Sequence, residues 1–353
     1  MSSTINPPEI DRSFAICADW LELLCILRES GRSSEIDLTG PNDIMDDRIA
    51  IIEGGEEDHE DLDIVDPPLE RALDALAEEL QRREAELGAA YPFKSRITAG
   101  HIHMARTSRA TDVAIQRGRA IYIACLLISA IRTGLIDYRA ANIQPDPEIG
   151  NLFQICATLA AAGYVRGDAY WFGHPRPDNT RLIDAVQRLV TLVKMGQART
   201  ERPEGETRYA KDVGVDVVAW RGHSDDRPSK LVVYGQCASG LDWEGKPVGP
   251  KVNRLEGYFW RAPVRHWLPA LFLPFPLYMG KESTHSLKDN ASMEGFYSQI
   301  ESEMGLIIDR SRVVTCSIEA LRDLGESAKV AFDNLHLLDD WCENTTRQLG
   351  SAV

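Results

Sequence analysis

The residues of this chain best placed to do chemistry together lie between Asp212 and Lys246, in the stretch DVGVDVVAWRGHSDDRPSKLVVYGQCASGLDWEGK. Asp216 interrupts one apolar run, Gln236 closes the next, and Lys246 follows a Gly-Leu-Asp-Trp turn. A carboxylate and an amide carbonyl are hard oxygen donors of the kind that Mg²⁺ takes. A lysine beside them can orient a nucleophile or neutralise charge developing on a phosphate. Together the three could hold a divalent metal and a phosphate. One carboxylate and one amide make a sparse cage, so a further acidic ligand is expected from Glu206, Asp212 or Asp225. The elements that must position these groups are the valine-rich runs Val213–Trp220 and Lys230–Cys237. Gly, Pro, Ser and Asp bound them, which predicts two strands joined as a hairpin with a long polar loop holding His223, Asp225, Asp226 and Pro228.

This arrangement resembles the PD-(D/E)xK superfamily of restriction-endonuclease-like nucleases, in which an Asp on the second strand and an acidic-x-Lys on the third surround Mg²⁺. Asp216 in GVDVVAW matches the strand-two aspartate with its Gly-x-Asp context, and Gln236 stands at the acidic position. Ala238 stands where the lysine is expected. The resemblance implies that the Gln236 carbonyl and the backbone oxygen at Cys237 join Asp216 around Mg²⁺ or Mn²⁺. It also implies that the lysine has moved to Lys246 or, as the lesser choice, Lys251. It spans roughly residues 200–310 and implies a mixed β-sheet flanked by helices. The activity implied is a metal-dependent DNA endonuclease of bacterial restriction or anti-phage defence. The alternative is a catalytically degenerate subunit of the same fold that binds a partner protein or nucleic acid, which Ala238 favours.

The net charge of −15 is unusual for a protein that holds nucleic acid. Much of it is local: residues 43–66 carry eleven acidic residues against one arginine, and read as a solvated acidic loop or a docking site for a basic partner. The most basic and aromatic stretch, KVNRLEGYFWRAPVRHW, directly follows the candidate site. Lys251, Arg254, Arg261 and Arg265 there are expected to contact phosphates, with Tyr258, Phe259 and Trp260 among them. The alternative is a short amphipathic helix packed on the sheet. The seven cysteines are scattered without a CxxC pair, as free thiols in a cytoplasmic protein would be. No run is expected to reach membrane-spanning length, Ala120–Ile131 being too short, and the first residues lack the pattern of a signal peptide.

The expected fold is α+β or α/β in two parts. Residues 1–197 read as a mostly helical domain, with helices over 12–31, 67–88, 109–135, 147–162 and 179–195. His101 and His103 would share one face of a strand, as metal ligands or a surface pair. Gly163–Pro177 reads as an aromatic loop that anchors to the core or stacks on bases. Residues 198–353 read as the nuclease-like domain, with one or two buried strands over 268–277, a strand over 305–314 at an edge or buried, and helices to the end. Cys237 with His223 is a poor nucleophilic pair, since an apolar strand does not lower a thiol pKa.

Overall fold

The computed structural model describes residues 4–8, 13–38, 67–98, 101–141, 143, 148–206, 211–225, 227–277 and 290–350. The acidic segment 43–66 and Asp226 lie outside them. The fold is mixed α/β, and the chain divides into two compact units that differ from a division at 197/198. One gathers Met1–Arg109, Ala130–Ile143 and Asn344–Val353; the other gathers Ala110–Ser129 and Gln144–Glu343.

In the first unit, helix α1 (Phe14–Leu27) is buried along nearly its whole length, Asp19 and Glu22 included. A buried charge needs a partner, and Arg83 of α2 (Pro67–Leu87) supplies it. Its guanidinium lies 2.7 Å from Asp19, 2.9 Å from Glu22 and 2.6 Å from Glu79. Strands β1 (Arg32–Ser34), β2 (Phe93–Thr98) and β3 (His101–Arg106) form an antiparallel sheet in the order β1-β3-β2. His101 and His103 share its exposed face, as the spacing predicts, and His101 Nδ1 meets Glu35 at 2.8 Å.

In the second unit, the part of α3 (Val113–Thr133) up to Ser129 is followed by α4 (Glu148–Val165), β4 (Asp168–Trp171), α5 (Leu182–Val193) and β5 (Gln197–Ala198). The hairpin β6 (Val217–Arg221) and β7 (Leu231–Cys237) comes next, then α6 (Gly249–Glu256), β8 (Phe259–Arg261) and β9 (Leu268–Phe272). The chain continues through α7 (Asn290–Met304), β10 (Leu306–Ile308), α8 (Arg310–Arg322), α9 (Lys329–Asp333) and α10 (Leu335–Gly350), whose residues from Asn344 on belong to the first unit. Five strands build the main sheet in the order β10-β9-β7-β6-β4. The pairs β4–β6 and β6–β7 are antiparallel, while β7–β9 and β9–β10 are parallel. α4 packs across β4, β6 and β7 and against α8.

Several expectations change. Residues 168–171 are a strand of this sheet rather than loop, and they tie the expected N-terminal domain to the expected C-terminal one. Tyr170, Trp171 and Phe172 are buried, so they anchor the core and offer no stacking surface. The run read as a strand over 305–314 ends at Ile308, because Asp309 caps a helix by accepting the Arg312 N–H. α3 is in fact long and apolar enough by composition to cross a membrane; the share of it buried inside the fold, 61%, marks a core helix. All seven cysteines are free, four of them buried.

Gly163 sets the closest approach of α4 to α8: a Cβ there would lie 1.8 Å from the Cys316 carbonyl oxygen. Gly163→Ala is expected to cost about 3 kcal/mol through overpacking, read as a lower midpoint in chemical denaturation. Gly150→Ala on the same helix, where a Cβ meets nothing, should leave the midpoint unchanged or raise it.

Candidate active site

Asp216 sits at the entry to β6, where the chain leaves a turn and joins the sheet. Its backbone is held from three sides: its N–H donates to Gly235 O, and its carbonyl accepts from Phe172 N–H and Gly173 N–H. Its side chain reaches the end of β7, where Oδ2 accepts the Cys237 N–H at 2.8 Å. The residue as a whole is half-buried, but its carboxyl is enclosed. Burial raises that carboxyl to about 7 against the pull of the Cys237 hydrogen bond. Asp212 nearby adds to the rise, and the charges of Lys251 and Arg176 oppose it.

Gln236 stands beside this link, on β7. It is only 7% exposed, and its carbonyl oxygen is buried without a hydrogen-bond partner. An orphaned buried acceptor is costly, and a cation is one way to satisfy it. Gly173 borders the other side. A Cβ there would fall 2.7 Å from Asp216 Oδ1 and 2.6 Å from the side-chain oxygen of Gln154. Only glycine leaves that small space, bordered by two oxygens, open. Gln154 projects from α4, is buried, and accepts a hydrogen bond from the Trp171 indole.

The lysine whose charge bears on Asp216 is Lys251, half-buried on α6. Its aliphatic stem packs on Gly214, where a Cβ would meet Lys251 Cδ at 2.7 Å; the φ of +84° there separately favours glycine. Burial lowers the Lys251 ammonium, and Asp216 pulls it back up. Lys246, the first choice from sequence, is ion-paired with Asp242 at 2.8 Å.

The other expected residues separate. Asp212 joins the site: its carboxylate caps the turn through Gly214 N–H at 3.0 Å and its charge acts on Asp216. Asp225 does not. It lies in the loop at the far end of the hairpin, five strand residues beyond Asp216, or roughly 16 Å. Glu206 is committed to Arg254, with two contacts of 2.6 Å. Arg261 and Arg265 are exposed outside the cluster. At Cys237 the group that touches Asp216 is the N–H. The thiol is pushed well up by burial and by Asp216, which removes Cys237 as a nucleophile.

Sequence reasoning missed Gln154, Gly173 and Arg176. Arg176 is 3% exposed, and its guanidinium donates to Thr180 O at 3.1 Å and Lys211 O at 3.2 Å. Its Nε is buried without a partner. Burial lowers its pKa, while Tyr170, Asp212, Asp178 and Asp216 counter. Its only sequence signal is a Gly-His-Pro-Arg turn some forty residues before Asp216. The donors around Asp216 are oxygens, which suits a hard cation. Among the described residues no three His, Cys, Asp or Glu converge to hold a metal, so Asp216 would share the task with the amides of Gln236 and Gln154. No family model, curated protein or solved structure matches the chain.

Because the folded state raises the Asp216 carboxyl from 3.8 to about 7, it binds more protons than the unfolded chain between those values. Stability should therefore fall as pH rises through that window. Asp216→Asn, which mimics the protonated carboxyl, is expected to raise the melting temperature at pH 8.5 and to change it little below pH 4. Thermal melts across pH check this; an equal effect at both ends would contradict the enclosed carboxyl.

Proposed function

We propose that this chain is a Mg²⁺-dependent endonuclease that hydrolyses DNA phosphodiesters, on a restriction-endonuclease-like sheet. The observation that carries the reading is the junction of two strand ends. Asp216 opens the second strand of the main sheet in chain order, and Gln236 and Cys237 close the third. These are the places at which the resemblance seats its acidic residues. The mixed sheet with α4 packed on it adds support. The chain's place in restriction or anti-phage defence rests on the resemblance alone.

Asp216 Oδ1, the Gln236 carbonyl and, from α4, the Gln154 carbonyl would hold the ion. Bound there, Mg²⁺ would supply Lewis acidity toward the phosphate and a lowered pKa for water. Asp216 must be ionised to bind it, so the ion competes with the proton that burial favours. Lys251 supplies the mobile positive charge beside Asp216 that Ala238 does not, and orients the attacking water or neutralises the phosphate oxygens. Arg176 is fixed behind Asp216 by two carbonyls and lowers the cost of ionising it. Asp212, capping the turn, keeps Asp216 at the strand entry.

A second reading has its own observation. Ala238 replaces the motif lysine, and one enclosed carboxylate is a sparse anchor for a divalent ion. A degenerate subunit that binds DNA or a partner protein would keep the fold and lose the reaction.

Incubation of plasmid and phage DNA with Mg²⁺ or Mn²⁺ separates the two. Cutting by wild type, lost by at least about 100-fold in Asp216→Ala, Gln236→Ala and Lys251→Ala but retained in Lys246→Ala, is the expected result. Cutting that survives Asp216→Ala would overturn the site. Cutting lost in Lys246→Ala and kept in Lys251→Ala would restore the lysine first expected from sequence. The absence of wild-type cutting, with a partner that co-purifies, would select the degenerate subunit.

A further inference from the structure

Of the seven tryptophans, Trp260 alone is exposed, at 64%. It stands on β8, in the small two-stranded sheet that β8 makes with β5. The Arg199 guanidinium lies over its ring, 3.9 Å from the centroid. The Nε of that guanidinium is buried without a hydrogen-bond partner, and the backbone N–H of Arg199 donates to Tyr258 O beside β8. With one face of the indole under the Arg199 guanidinium and most of the residue in solvent, the ring is a flat, electron-rich surface that, among the described residues, carries no other cation or stacked ring.

The surroundings select what would lie there. Residues 194–200 and 257–266, which contain the two strands and their flanks, carry Lys194, Arg199, Arg261, Arg265 and His266 and no carboxylate of their own, with Glu206 bordering them at Tyr258 and Glu256 at Trp267. The chain as a whole carries a charge of −15. Such a concentration of cations around one exposed indole fits a polyanion with planar groups. A duplex hides its base faces within the stack, whereas a single strand presents them.

We propose that Trp260, backed by Arg199 and flanked by Arg261 and Arg265, is a stacking platform for unpaired bases of single-stranded DNA. α6 leads directly from Lys251 to β8, so chain connectivity holds the Cα atoms of Lys251 and Trp260 within about 20 Å of each other. The platform can therefore grip a strand that also passes Asp216. The inference rests on the proposed function for the polymer it names; binding to the platform requires neither the metal nor the reaction. It specifies a substrate with unpaired bases, such as a tail, gap or displaced strand.

The test is binding of the full chain, in EDTA, to a fluorescent oligothymidine and to a blunt duplex of equal length, read by anisotropy. Trp260→Ala is expected to weaken single-strand binding roughly 5- to 150-fold, the range for one stacked base, with duplex binding little changed. Trp260→Phe, which keeps an aromatic face, should recover most of the loss. Arg261→Ala and Arg265→Ala should each reduce the slope of log affinity against log salt by about 0.7. Equal single-strand binding by wild type and Trp260→Ala would overturn the platform, as would an equal loss for duplex and single strand. A wild-type chain that binds no single strand would overturn it too, leaving the patch to a protein partner. Metal-dependent cutting, measured separately on Asp216 variants, reports on the site alone, so either proposal can fail without the other.

Discussion

A single hydrogen bond organises the second unit: the carboxylate of Asp216 taking the N–H of Cys237. It fastens the entry of β6 to the exit of β7 at the place where the regular ladder between them stops. Everything near it answers to the cost of enclosing that carboxylate. Gly173 must lack a side chain to make room for it, Gly214 must lack one so that Lys251 can approach, and Arg176 is buried behind it at a cost of its own. Desolvation wins over these cations, which is why the carboxyl ends near neutrality rather than deep in the ionised range. A group whose charge is so finely balanced is sensitive to any added cation, and this sensitivity links packing to the proposed chemistry.

The hairpin and its aspartate were legible because β-branched runs and turn residues are local signals. Val217, Val218, Val232 and Val233 declare strands without help from the rest of the fold. β4 was not legible, because four residues, Asp168–Trp171, give no period to read, and their strand character comes from pairing with β6. α8 was misread for the opposite reason. Val313 and Val314 are β-branched like a strand, and the four polar residues between them and Ile308 read as an interruption of that strand, whereas Asp309 caps a helix there. At the site, Asp216 and Gln236 could be found by strand spacing. Lys251 required the helix that follows, and Arg176 and Gln154 arrive from segments forty and more residues upstream. Distances of that kind are set by tertiary packing alone.

Charge is distributed in this molecule by neighbourhood rather than by overall sign. A large excess of carboxylates belongs to one sequence segment, while the first unit hides three others around Arg83 inside its core. Lys194, Arg199, Arg261 and Arg265 lie on the small β5–β8 sheet and its flanks. Net charge alone would have argued against any nucleic-acid partner; the local arrangement is what makes one physically reasonable.

The division of the chain also governs how it can be cut apart. The unit containing the main sheet draws on residues 110–129 as well as 144–343, and the break falls within α3. A fragment beginning at residue 198 would lose β4 and α4 together. β6 would then expose a bare row of N–H and C=O groups along Val217–Arg221, beside an apolar sheet face stripped of its covering helix. An open edge of that kind recruits other strands, so this half of the protein, expressed by itself, would be an aggregating species instead of a minimal enzyme.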